Sequence, residues 1–317
     1  MSLNKNKEIL RALGRTGRTL NLTFDTIFKF VFGSPGSEDL LQAMLNAILG
    51  AELNEPIEAM RFMPQEYVSP DPDGKTCRMD VVATDQLGRI FNIEMQRYKD
   101  EEYNERLVLY VARLVTYSTS KGNEMVIRKI IGLSFGDRPL PGLEECPAPI
   151  VRVYVNTDQK GYLLKGTLPI TIHVNLSRIR QIGHEMNVED FDERMKWCYY
   201  VAMEGAMATE EEMEKIKRLV AADPWLERVH ERFEQAMANN DEDMMIMLLQ
   251  EVNSDMKYKG ELRTARNDGL REGRQEGLQK GILDGKREMA QAMKGRGVDI
   301  TLISECSGLS LSEIERL

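Results

Sequence analysis

The segment CRMDVVATDQLGRIFNIEMQ, residues 77–96, restricts the fold more than any other part of the 317-residue chain. Asp85-Gln86-Leu87-Gly88-Arg89 reads as a turn in which Gly88 supplies a positive φ. Pairing outward from it sets Thr84 opposite Ile90, Val82 opposite Asn92 and Asp80 opposite Glu94. Side chains alternate along a strand, so Val81, Ala83, Phe91, Ile93 and Met95 share an apolar face. Asp80, Glu94 and Gln96 share the other face. A slip of one residue would scatter the apolar set, so the register is well specified.

Carboxylates directly opposite each other have Cβ atoms roughly 5 Å apart and repel. A divalent cation makes such a pair favourable, and Mg²⁺ takes oxygen ligands, commonly one or two carboxylates with water and phosphate. There it would polarise a phosphate and lower the pKa of an attacking water. The other reading is two charges on the solvated face of a hairpin. Spacing alone leaves both open.

The rest of the chain divides by pattern. Residues 1–21 form a basic, Gly-containing arm. LTFDTIFKFVFG and SEDLLQAMLNAILG carry apolar residues at helical spacing; Ser37 is placed to cap the second, and a glycine ends each. IEAMRFMPQEYV, CRMDVVAT and RIFNIEMQR read as strands. Glu101 to Lys121 returns to helical period, with Leu107, Tyr110, Val111, Leu114 and Tyr117 on one stripe. VIRKIIGLSFG, IVRVYVNT and LPITIHVNL read as three more strands, and everything from Glu189 onward reads as helix. The expected organisation is the arm, an α/β domain over 22–180, an acidic helical region over 185–260 and a helical C-terminal part over 261–317.

Asp80, then E-x-Q on the next strand, resembles the PD-(D/E)XK nuclease superfamily. FDTIFKFVFG, LLQAMLNAILG, NIEMQ and ERLVLYVARL around it are similar to the recombination-promoting nuclease (Rpn) and transposase family of bacterial mobile-element proteins, over roughly residues 22–135. The resemblance implies a restriction-endonuclease-like αβββαβ core with a mixed central sheet, followed by an all-helical C-terminal region. It implies a DNA endonuclease in which Asp80 and Glu94 bind Mg²⁺, or Mn²⁺, and Gln96 stands where most of the superfamily has Lys. Gln cannot place a positive charge beside the scissile phosphate, but it can orient a water. Lys29, Lys75 and Arg106 are the candidates to supply that charge. Asp25 and Lys29 lie on one helix face at i,i+4, either as a surface ion pair or as a third acid and a phosphate contact. Arg106 and Tyr110 have the same spacing, and Tyr110 also lies on an apolar stripe. The competing class is a nuclease-fold protein without catalysis that acts as a DNA-associated oligomeric module.

Charge needs to be read locally. Lys plus Arg number 42 and Asp plus Glu 51, a net of −9, which excludes a protein that coats nucleic acid by bulk positive charge. Residues 185–255 alone hold 7 basic and 19 acidic groups. These acidic helices either face away from double-stranded DNA or restrain the site. In NDGLREGRQEGLQKGILDGKRE, Gly269, Gly273, Gly277, Gly281 and Gly285 recur every four residues. Each costs a helix about 1 kcal/mol relative to Ala, so the stripe suggests a closely approaching second helix, within the chain or in a homo-oligomer. Gly297 and Gly308 break the end into short helices, with a capping box at Ser310 and Glu313. Cys77, Cys146, Cys198 and Cys306 form no metal-binding spacing, and His173, His184 and His230 sit in no motif. No apolar run suits a membrane span or an export signal, so a cytoplasmic location is expected.

Overall fold

Helical spacing buries Ile27, Phe28, Val31 and Phe32 on one side of α1 (Asp25–Phe32). It does the same for Leu41, Met44, Leu45 and Ile48 on α2 (Glu38–Leu49). The computed structural model describes residues 20–67, 76–97, 102–118, 128–152, 170–206, 208–239 and 241–317. The basic arm up to residue 19, Lys75 and the second half of IVRVYVNT lie outside the described residues. Ser37 sits at the start of α2, but its hydroxyl donates to the Ser34 carbonyl at 2.7 Å and does not cap the helix.

The strands are β1 (Met60–Phe62), β2 (Glu66–Tyr67), β3 (Cys77–Arg78), β4 (Val81–Asp85), β5 (Ile90–Gln96), β6 (Ile130–Gly136), β7 (Ile150–Arg152) and β8 (Ile170–Asn175). Six form one mixed sheet in the order β1-β4-β5-β6-β8-β7, and β2 pairs with β3 separately. β5, β6 and β8 are parallel; β1–β4, β4–β5 and β7–β8 are antiparallel. The turn between β4 and β5 carries Gly88 at φ 75°, and Arg89 folds back onto Asp85 in a buried ion pair.

Both faces of the sheet are covered. On one, Val81 approaches α1 so closely that a Cβ at Gly33 would lie 2.6 Å from its Cγ2, and Phe28 meets the Phe135 ring at 5.9 Å. On the other, Val82, Ile90 and Ile130 pack with Leu114, Val111 and Tyr110 of α3 (Tyr103–Ser118).

After β8 come α4 (Leu176–Glu185), α5 (Glu193–Met203), α6 (Glu210–Ala222), α7 (Pro224–Ala238) and α8 (Glu242–Gly295). Residues 1–255 form one compact unit and residues 256–317 a second. Within the first, α5 buries Trp197, Tyr199 and Tyr200 against its neighbours. Gly183 of α4 lies where a Cβ would be 2.2 Å from the Tyr199 ring, so only glycine permits this approach. In the second unit, Ala290, Ile303, Leu309 and Ile314 form a small core around α9 (Ile300–Ser307) and α10 (Leu311–Glu315). Gly297 (φ 76°) and Gly308 (φ 68°) make the breaks, and Ser310 with Glu313 forms the capping box. Nothing among the described residues comes within 4 Å of a Cβ built on Gly269, Gly273, Gly277, Gly281 or Gly285. Among the described residues of 256–317, the stripe therefore has no close packing partner.

Lys215 of α6 ties the acidic helices to the sheet domain. Its buried ammonium donates to the carbonyls of Gly183, His184 and Met186 at 3.1, 3.0 and 3.0 Å, closing the C-terminus of α4, where a cation is favoured. Lys215→Met should lower unfolding stability by about 2–3 kcal/mol, the cost of orphaning acceptors held by a charged donor. The exposed Lys217→Met should stay within about 0.5 kcal/mol. Urea titration of the full chain compares them.

Candidate active site

The hairpin register is the one that places the carboxylates. Val82 pairs with Asn92 and Thr84 with Ile90, which brings Asp80, just before β4, opposite Glu94 of β5. They do not lie on a solvated face. Glu94 is 6% exposed, beneath the side of the sheet that α3 covers. The Met95 amide donates to Asp80 Oδ2 at 2.9 Å, and the Asp80 amide reaches Glu94 Oε1 at 3.4 Å. Burial first, and then the charge of Asp80, pushes the Glu94 carboxyl well above the usual range.

Lys29 supplies the opposite charge. One turn along α1 from Asp25, it meets Asp25 Oδ2 at 2.8 Å and Asp80 Oδ1 at 2.8 Å. The sequence left open whether Asp25 and Lys29 form an i,i+4 ion pair or face the carboxylate hairpin; they do both. Burial works against the Lys29 charge, but Asp80 and Asp25 outweigh it and raise its pKa. Asp25 is pushed up to about 7 by burial and by Asp80, and its Oδ1 is buried with no hydrogen-bond partner among the described residues.

Gln96, at the end of β5, accepts from Arg106 Nη2 at 2.9 Å, and the Arg106 guanidinium lies 5.0 Å from the Tyr103 ring. Tyr110, one turn beyond Arg106, packs on the α3 cluster and also reaches the site. These groups line a cleft of about 260 Å³ whose walls are Asp25, Arg78, Asp80, Glu94, Met95, Gln96, Arg97, Arg106, Tyr110 and Glu251. Of the residues expected at the site, Asp80, Glu94, Gln96, Asp25, Arg106 and Tyr110 line one cleft, with Lys29 bonded to its edge. Lys75 lies outside the described residues.

Arg78, Arg97 and Glu251 were not expected there. Glu251 is one of the 19 acids of the stretch read as facing away from DNA; no local pattern joins it to α1. A buried polar row was missed as well. The parallel register sets Glu94 beside Ser134, and Ser134 beside His173. His173 Nε2 faces the Arg138 carbonyl at 3.3 Å, so it carries the hydrogen, and Nδ1 accepts from the Ser134 hydroxyl at 3.1 Å. Ser134 in turn accepts from Tyr103 Oη at 2.7 Å. Burial lowers His173 to about 4, so the row is neutral. Gly136 leaves space for the ring, since a Cβ there would lie 2.6 Å from His173 Cε1.

Among the described residues, no group of three or more His, Cys, Asp or Glu is arranged to hold a metal ion. The donors nevertheless suit a hard cation. They are carboxylate oxygens, one of them orphaned on Asp25, with two carboxyls driven toward protonation first by burial and then by the charge of Asp80. In this structure Lys29 is the cation that offsets them.

A mixed sheet with helices on both faces, and an acidic cleft at the end of its β4–β5 hairpin, has the restriction-endonuclease-like fold. The family model described as PD-(D/E)XK nuclease family transposase matches residues 22–262, and the chain belongs to that family. Nucleases of this class generally use divalent metals. No curated protein and no solved structure matches the chain. Among the described residues, no helix is long and apolar enough to cross a membrane.

The crowded acids make stability depend on pH. With a raised folded-state pKa, Glu94 and Asp25 keep protons that the unfolded chain has released, so stability is full at low pH and is lost as pH rises through their folded values. In metal-free buffer the melting temperature should fall between about pH 5 and about pH 8. Glu94→Gln should flatten that fall and melt higher than wild type at the upper end. A Glu94→Gln profile that parallels the wild type would contradict a buried Glu94 held protonated beside Asp80.

Proposed function

We propose that the protein is a Mg²⁺-dependent endonuclease that hydrolyses phosphodiester bonds of double-stranded DNA in recombination or on a mobile element, with Mn²⁺ as an alternative ion. The observation that carries this reading is the Asp80–Glu94 pair in a cleft shared with Gln96 and Arg106. Asp80 and Glu94 would hold the metal, with Asp25 as a third acid. When bound, the ion supplies Lewis acidity toward the phosphate and lowers the pKa of a bound water.

Each side chain then has a task. Lys29, displaced from its bridge, and Arg106 offer positive charge to the phosphate that the Gln96 amide lacks. Gln96 orients the attacking water by hydrogen bonding. Tyr110 helps wall the cleft. Lys75 and the basic arm are assigned to the DNA backbone from sequence. The second unit, through its exposed glycine stripe on α8, is assigned to association between copies of the chain. A cytoplasmic location fits the reduced thiols, since Cys77, Cys146, Cys198 and Cys306 are all free.

A second reading, a nuclease-fold module that binds DNA without cutting it, is favoured by one observation. Gln96 is engaged with Arg106 and Asp80 with Lys29, so both must rearrange before water and phosphate bind. Plasmid nicking separates the two. With Mg²⁺ or Mn²⁺ the wild type should nick, Asp80→Ala and Glu94→Ala should each be slower by at least about 100-fold, and Gln96→Ala by about tenfold. Equal cleavage by wild type and Asp80→Ala would remove Asp80 from the chemistry, and no cleavage by either, with DNA still bound, would leave the binding module.

A further inference from the structure

We infer that Glu251 of α8 is a positioning residue for the site, holding α1 so that Asp25 and Lys29 stand against Asp80 and Glu94; the inference rests on the nuclease reading above. The first turn of α1 has no local cap. Phe24 occupies the N-cap position and offers no side-chain acceptor, while Asn21 Oδ1 accepts from the amide and hydroxyl of Thr23 at 3.0 and 2.6 Å. The first amides of a helix need acceptors, and a carboxylate there also complements the helix dipole.

Glu251 fills that role from 226 residues away, accepting the Asp25 amide on Oε1 at 2.8 Å and, from 225 residues away, the Thr26 amide on Oε2 at 3.2 Å. Arg97, just past the Gln96 end of β5, donates to Glu251 Oε1 at 3.1 Å and lies 3.6 Å over the Phe24 ring. Both ion-pair partners are largely buried, at 3% exposure for the Arg97 side chain and 13% for that of Glu251. Arg97 and Glu251 therefore clamp the start of α1 to the end of the strand that carries Glu94. One turn further along α1, Lys29 reaches Asp80. Glu251 lines the same cleft as the carboxylates, so the clamp is part of the site's wall. The family match runs past it, to residue 262. The acidic stretch thus contributes one carboxylate to building the site, and the chain beyond α7 is required for it.

The test uses the full chain with Glu251→Ala and Glu251→Gln. Gln keeps an oxygen for the Asp25 amide but loses the charge. Hydrogen exchange of the Asp25 and Thr26 amides should quicken by about tenfold or more in Glu251→Ala, the worth of one charge-assisted hydrogen bond, and less in Glu251→Gln. Mn²⁺ should bind Glu251→Ala about tenfold more weakly, and nicking should lose about tenfold in kcat with KM for plasmid within about twofold. Unchanged exchange and unchanged Mn²⁺ affinity in Glu251→Ala would overturn the inference. So would an equal loss in Glu251→Ala and Glu251→Gln with a general rise in exchange, because that marks a merely structural residue. If Glu251→Ala does not fold, Glu251→Gln decides: faster exchange confined to the start of α1, with weaker Mn²⁺ binding, supports positioning, and wild-type values overturn it. Wild-type protein that binds no Mn²⁺ and nicks nothing would sink the nuclease reading itself, and the exchange of the two amides would then judge the clamp alone.

Discussion

Carboxylates brought face to face by a strand register, and then covered by a helix, need a cation more than any other partner. The register that buries Val81, Ala83, Phe91 and Ile93 also puts Asp80 opposite Glu94, on the side of the sheet that α3 covers. Hydrophobic burial therefore imposes the electrostatic problem, and the surrounding structure answers it. Lys29 ion-pairs with Asp80, the Met95 amide donates to Asp80, and Glu94 is driven toward its protonated form. A surface ion pair would be worth little. Here the partners are partly buried, and removing one leaves charge uncompensated in a poor solvent.

The charges form a connected line through three parts of the chain. Asp80 touches Lys29, Lys29 touches Asp25, and the Asp25 amide rests on Glu251, which pairs with Arg97 at the end of β5. β4, α1, α8 and β5 are thereby held to one geometry. This arrangement also recasts the net charge of −9. Most of the acid excess sits on the helices after β8, yet one of those acids, Glu251, is a wall of the cleft.

Much of this was legible in the sequence because it is local. The alternation on either side of Gly88 set the register, the glycines at 297 and 308 marked real breaks, and i,i+4 spacing paired Asp25 with Lys29. What failed was non-local or depended on fine turn geometry. Ser37 stands at the N-cap position, but its hydroxyl donates back to the Ser34 carbonyl and accepts from no helix amide. Burial of the hairpin's polar face depends on where α3 lands. Glu251 and the Tyr103–Ser134–His173 row come together only once strands and helices distant in sequence are packed. Alternation gives a residue its face, and tertiary packing decides what covers it.

As proposed, the Asp80–Glu94 pair is a metal site at which Lys29 stands in for the ion. A crystal of the full chain soaked in Mn²⁺ and measured at the manganese absorption edge tests it directly. The expected result is an anomalous peak within coordination distance, about 2.2 Å, of oxygens from both Asp80 and Glu94, with the Lys29–Asp80 contact broken or lengthened. No peak there at saturating Mn²⁺, with Lys29 still bridging Asp25 and Asp80, would contradict it.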